Sequence, residues 1–104
     1  MDIYEADIEF LERVAKKASE FPSIEVPDAF NSTMSKRYGI ERAMAMIKDR
    51  RFEDPDDTLN DVYMDLFVRE STCRQMKNKM HYQRAMDGVQ ALRSALQKRR
   101  QSGK

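Results

Sequence analysis

Residues 58–100, TLNDVYMDLFVRESTCRQMKNKMHYQRAMDGVQALRSALQKRR, contain no proline and a single glycine, Gly88, and their reading decides the fold. Nothing in the stretch forbids helix, and its apolar residues recur at helical spacing. Leu59, Leu66, Cys73 and Met80 are spaced by sevens, with Val62 and Met76 at the companion heptad position. Arg69 and Glu70 interrupt that seam. Beyond Met80 the stripe changes side: Tyr82, Ala85, Met86, Val89, Leu92 and Leu96 fall about 180° round from Cys73, Met76 and Met80 at roughly 100° per residue. One helix face cannot bury both sets against one neighbour. The stretch therefore reads as one helix or several, with the apolar face changing sides near His81 and two packing surfaces to fill.

Charge is sorted along the same stretch. Ten cations and two anions lie between Arg69 and Lys104, a balance of +8, whereas residues 1–68 sum to −7. Such polarity is a footprint for a polyanion, or for a second copy of the molecule meeting head to tail. A chain of 104 residues with three glycines, three prolines and no tryptophan is one domain rich in good helix formers. The expected class is all-α, a small helical domain of four or five helices with a long basic C-terminal helix. It divides into an acidic helical part (1–57), a basic helical part (58–100) and a flexible tail (97–104). Cys73 is the one cysteine, which excludes an internal disulfide, and no signal peptide or long apolar run is present. These features predict a soluble, cytoplasmic protein without a membrane partner; for a phage-encoded chain the compartment is the host cytoplasm.

Upstream, Asp2 and Glu5 make a capping-box-like start to a first helix whose stripe is Tyr4, Ile8, Leu11, Ala15 and Ala18, flanked by Val14 and Phe21. Pro22 stops it, and residues 23–27 read as an extended connector. Asp28 is placed to cap a short second helix carrying Phe30, Met34 and Tyr38, with Gly39 ending it. A third helix follows, with Ile40, Ala43, Met44 and Ile47 inward, and stops before the acidic loop Glu53–Asp57.

Catalytic chemistry finds few residues to work with. Cys73 and His81, eight residues apart, do not form a zinc site or a nucleophile–base pair on one helical face, and no phosphate-cradling glycine loop occurs. No enzyme, cofactor or metal is expected. The carboxylates of Glu53–Asp57 lack the ligand alternation of a calcium loop and read as helix caps and dipole partners. Most of the eight methionines, including Met34, Met44, Met76, Met80 and Met86, read as core. Tyr63 and Phe67 lie off the Leu59–Leu66 stripe and either widen the core face or form an exposed aromatic patch; the core is favoured.

Within residues 58–82, the run Asp61 to Met80 resembles the helix-turn-helix in the last domain of bacterial sigma factors, and is more similar still to ArpU-type phage transcription regulators. The resemblance rests on Leu66 and Val68 bracketing a turn, Ser71 and Thr72 opening a helix, and Cys73 and Met76 inward. Thr72 with Gln75 also makes a capping box. Tyr63 and Phe67 stand where that family has a small residue and a turn glycine or asparagine. The resemblance implies a recognition helix presenting Arg74, Gln75 and Asn78 to base edges, with Arg69 in the turn and Lys77, Lys79 and Arg84 on phosphates.

Two functions follow as expectations. The first is a small non-enzymatic DNA-binding regulator of phage or bacterial type, contacting duplex DNA through Arg69, Ser71, Arg74, Gln75, Lys77, Asn78, Lys79 and Arg84. The alternative is a helical adaptor or inhibitor that binds a host or assembly protein. A turn at 67–70 favours the first and an unbroken helix the second. Under either, Tyr82, Met86, Val89, Leu92 and Leu96 are expected to form a partner or homodimer interface.

Overall fold

The computed structural model describes residues 3–20 and 27–102, the side chains of 18–20 and 27–33 excepted. Its helices are α1 (Glu5–Glu20), α2 (Pro27–Asp49), α3 (Pro55–Thr72) and α4 (Met76–Ser102), and the described residues contain no strand. The fold is all-α, as the composition predicts.

In α1 the Ile8 amide donates to the Tyr4 carbonyl at 2.9 Å, and Glu5 and Asp7 face the positive end of the helix dipole. Ile8, Leu11 and Ala15 are buried, with Tyr4, Phe10 and Val14 packed against them. The expected cap at Asp2, the end at Phe21 and the proline stop at Pro22 lie outside the described residues.

Gly39 does not end a helix. The expected second and third helices are one, α2, which runs through Gly39 to Asp49. Gly39 is instead where α4 comes closest: a Cβ there would overlap the Ala85 carbonyl, and one on Gly88 would lie 2.5 Å from the Lys36 carbonyl. Neither glycine has positive φ. Missing side chains, rather than backbone freedom, explain both residues. Ile40, Ala43, Met44 and Ile47 form the predicted inward stripe.

The acidic loop works as a cap. Asp54, extended at φ −61° and ψ 121°, accepts the Asp56 amide at 3.0 Å; Pro55 follows, with Asp56 and Asp57 in the first turn of α3.

Of the two alternatives at residues 67–70, a turn or a continuous helix, the structure has the helix: α3 runs unbroken through them and ends at Thr72. Its end is made by the residues expected to open the next helix. The Ser71 hydroxyl donates to the Phe67 carbonyl at 2.9 Å, the Thr72 hydroxyl to the Arg69 carbonyl at 3.1 Å, and the Cys73 thiol to the same carbonyl at 3.1 Å. The Thr72 and Cys73 side chains thereby satisfy the Arg69 carbonyl, one that the helix end leaves unpaired, while Ser71 adds a second bond to a carbonyl inside the helix. Thr72 therefore does not cap α4. After an extended Cys73, Gln75 opens α4 by accepting the Lys79 amide at 3.1 Å.

The connection at Cys73–Gln75 folds α3 and α4 into an antiparallel hairpin. Its cross-links run in opposite senses along the two helices: Glu70 with Gln83 at 3.2 Å, Asn60 with Arg93 at 3.1 Å, and Asp54 with Arg100 at 2.7 Å. α2 pairs antiparallel to α3 through Arg42–Asp65 and Arg50–Asp61. α4 then runs parallel to α2, with Ser35 Oγ 2.7 Å from His81 Nδ1, and packs against all three other helices.

Burial accounts for the change of phase. Leu59, Val62 and Leu66 of α3 and Ala85, Met86, Val89, Leu92 and Leu96 of α4 belong to one core, and the break between the stripes is at 73–75 rather than near His81. Met86, Val89, Leu92 and Leu96 are thus sealed inside the chain, with Tyr82 packed at the core edge, and do not form the partner or dimer interface expected of them. The tail expectation also changes. Helix extends through Gln97 to Ser102, because Arg99 and Arg100 are tied to Asp7 at 3.1 and 3.0 Å and Arg100 also to Asp54.

Candidate functional site: the α3–α4 elbow

Ion pairing decides where the basic charge stays available. Arg93 is held by Asp56, and Arg99 and Arg100 by Asp7 and Asp54, so the distal part of α4 neutralises the acidic end of α3. Burial pushes the Asp54 carboxyl up, but bonds from Arg100 and the Asp56 amide outweigh it and hold the group below its ordinary range. The Arg100 guanidinium is correspondingly held further in its charged form, chiefly by its hydrogen bond to Asp54. Arg74, Lys77 and Lys79, at the opposite end of α4, take part in no ion pair among the described residues.

The elbow brings together part of the set expected for DNA. Arg74 and Gln75 lie in the connection and Lys77 and Asn78 in the first turn of α4, all exposed, with Lys79 half-buried. Asn78 Nδ2 lies 3.5 Å from Gln75 Oε1. Arg84 is exposed two turns further along. Arg69 and Ser71 do not join them. Arg69 sits on α3 and donates to Asp65 at 3.1 Å, and Ser71 is turned to its own helix. Asp65 also receives Arg42, and these two bonds overcome the upward push of burial to keep its carboxyl low.

Apolar side chains surround these cations. Met64, Phe67 and Val68 on α3 and Met76 and Met80 on α4 range from 44% exposed at Met80 to 68% at Met76. Cys73, half-buried at the connection, is not the core residue the heptad seam implied, and Met34, Met76 and Met80 are likewise outside the core. The seam fails because its helix stops at Thr72. Sequence reasoning favoured the core for Tyr63 and Phe67, which holds for Tyr63, packed against the core, but not for exposed Phe67, and it overlooked Met64 and Val68 as parts of a patch beside it. The signal was their i, i+3, i+4 spacing opposite the Leu59–Val62–Leu66 stripe.

No group of carboxylate, histidine or cysteine side chains able to hold a metal occurs among the described residues, and no helix there is long and apolar enough to cross a membrane. No family profile, curated protein or solved structure matches the chain.

Proposed function

We propose that this protein is a non-enzymatic helical interaction module, an adaptor or inhibitor, that binds an acidic partner protein through the α3–α4 elbow. One observation carries the reading: exposed apolar side chains and cations without ion-pair partners share the elbow. Apolar area supplies affinity and the surrounding charge selects the partner and speeds encounter. The unbroken helix at 67–70 supports the same choice.

Affinity capture from the native host tests it. The unmodified chain should retain an acidic protein in nuclease-treated lysate, and Arg74→Glu with Lys77→Glu should lower its recovery about tenfold, near 1.4 kcal/mol. Recovery unchanged by the substitutions would remove the elbow from the binding surface.

A second reading, a DNA-binding regulator of phage or bacterial type, is favoured by the exposure of Arg74, Gln75 and Asn78 around one helix start. With four phosphate contacts from Arg74, Lys77, Lys79 and Arg84, log affinity should fall against log salt with a slope of about −4. Absence of duplex binding at low salt would end that reading.

A further inference from the structure

Resting on the elbow as a protein-binding surface, we infer that its occupant is an acidic amphipathic α-helix, seated along the outer seam between α3 and α4 with its carboxylates toward Arg74 and Lys77. The exposed apolar side chains form two ridges. Met64, Phe67 and Val68 stand at i, i+3 and i+4 on α3, and Met76 and Met80 stand one turn apart on α4. The Glu70–Gln83 bond spans the seam between these helices. Phe67 is one turn before Glu70 and Met80 one turn before Gln83, each about 60° round its helix from that residue. Phe67, Met76 and Met80 therefore lie beside the seam, with Met64 and Val68 further round the outer face of α3. Packed helices with axes about 8–10 Å apart leave a groove that accepts the side-chain ridge of a third.

The shape of the site selects helix over extended chain. No strand occurs among the described residues, so a peptide has no sheet edge to extend, whereas the groove between two packed helices accepts the apolar face of a third. Charge then sets direction. Arg74 and Lys77 sit at the elbow end of the seam, where the opposed dipole ends of α3 and α4 offset and the side-chain cations set the sign. Further along α3, Asp56 and Asp61 are paired with Arg93 and Arg50 and Asp57 is exposed, so no cation cluster competes with the elbow for an acidic segment. An occupant helix places its acidic residues and the negative C-terminal end of its own dipole at the elbow. A second copy of this chain would bring cations to cations if it docked elbow to elbow.

The test is selection of a displayed random library of peptides of about 16 residues, roughly four helical turns, on the full chain. Enriched peptides should carry apolar residues at i, i+3 and i+4 with Asp or Glu toward their C-terminal end, gain helicity on binding, and shift the amide resonances of residues 64–68 and 76–80. Phe67→Ser with Met80→Ser, and separately Arg74→Glu with Lys77→Glu, should each weaken them about tenfold or more, as loss of anchor residues does. All four positions lie outside the core, and circular dichroism checks that the variants stay folded. Enriched peptides that are basic, bind extended or shift other residues overturn the inference. So does tighter binding of anionic-lipid vesicles or duplex DNA, lost with the same substitutions, which would assign the elbow to those ligands. If peptides fail while capture of an acidic host protein still depends on Arg74 and Lys77, the helical occupant alone is overturned; if neither depends on them, the proposed function falls with it.

Discussion

Gly39 shows how one residue type carries two opposite structural messages. In a sequence, glycine after Tyr38 reads as a helix terminator, because glycine is the residue that most readily adopts the left-handed conformation. In the folded chain it sits mid-helix against the Ala85 carbonyl, and only the partner helix, more than forty residues away in the chain, reveals this. Gly39→Ala should therefore destabilise by about 3 kcal/mol or more, the upper end for overpacking, because backbone rather than a flexible side chain is in the way. Urea unfolding would show the midpoint falling with little change in slope. A terminator role predicts about 1 kcal/mol at most, and an exposed mid-helix role predicts a gain of similar size. Gly88→Ala should lose stability too, since its Cβ would meet the Lys36 carbonyl.

At the scale of the helices, local signals were read well where the answer was local and badly where it depended on which group a side chain turns toward. The loop before α3 announced its cap through Asp54, Pro55 and the acids after them, and α3 begins there. Ser71, Thr72 and Cys73 were ambiguous, because hydroxyl and thiol groups serve a helix start by accepting amides and a helix end by donating to carbonyls. They do the latter, so the capping-box spacing of Thr72 and Gln75 misplaced the start of α4 by several residues. Asp54→Ala should cost about 1–2 kcal/mol, as loss of an N-cap does, whereas Asp54→Asn retains an acceptor and loses the Arg100 ion pair. Neither variant titrates at this position, so both separate from the unmodified chain by pH. Both Asp54 and Asp65 have carboxyls held below 3.8, so their contribution is present above that value and is lost as pH falls through the lowered folded values. Thermal melting should show Asp54→Asn with a shallower loss of stability below about pH 4 than the unmodified chain.

For the whole molecule, the periodic stripes identified nearly every core residue, yet their owner was misassigned. A stripe of Val89, Leu92 and Leu96 has the same sequence signature whether its cover is another helix of the chain or another chain. The covering helices are the chain's own. Val89→Glu with Leu92→Glu should consequently unfold the protein instead of separating two subunits, because unpaired buried charge costs about as much as a small domain's entire stability. Circular dichroism should show helix lost throughout, and sedimentation of the unmodified chain should show a monomer. The elbow was legible as charge and hidden as shape, since Met76 and Met80 looked buried until the helix break removed them from the seam. The triad of Asp7, Asp54 and Arg100 has a practical consequence for presentation of that elbow. It fastens the start of α1, the start of α3 and the last turns of α4 at one pole, while the 27 residues of α4 carry the elbow roughly 40 Å away. A linker or fusion joined before Ile3 or after Ser102 leaves from the far pole. Either attachment turns the molecule into a short post with its elbow outward, and under the proposed function a surface-tethered copy should capture an acidic partner equally well from both ends.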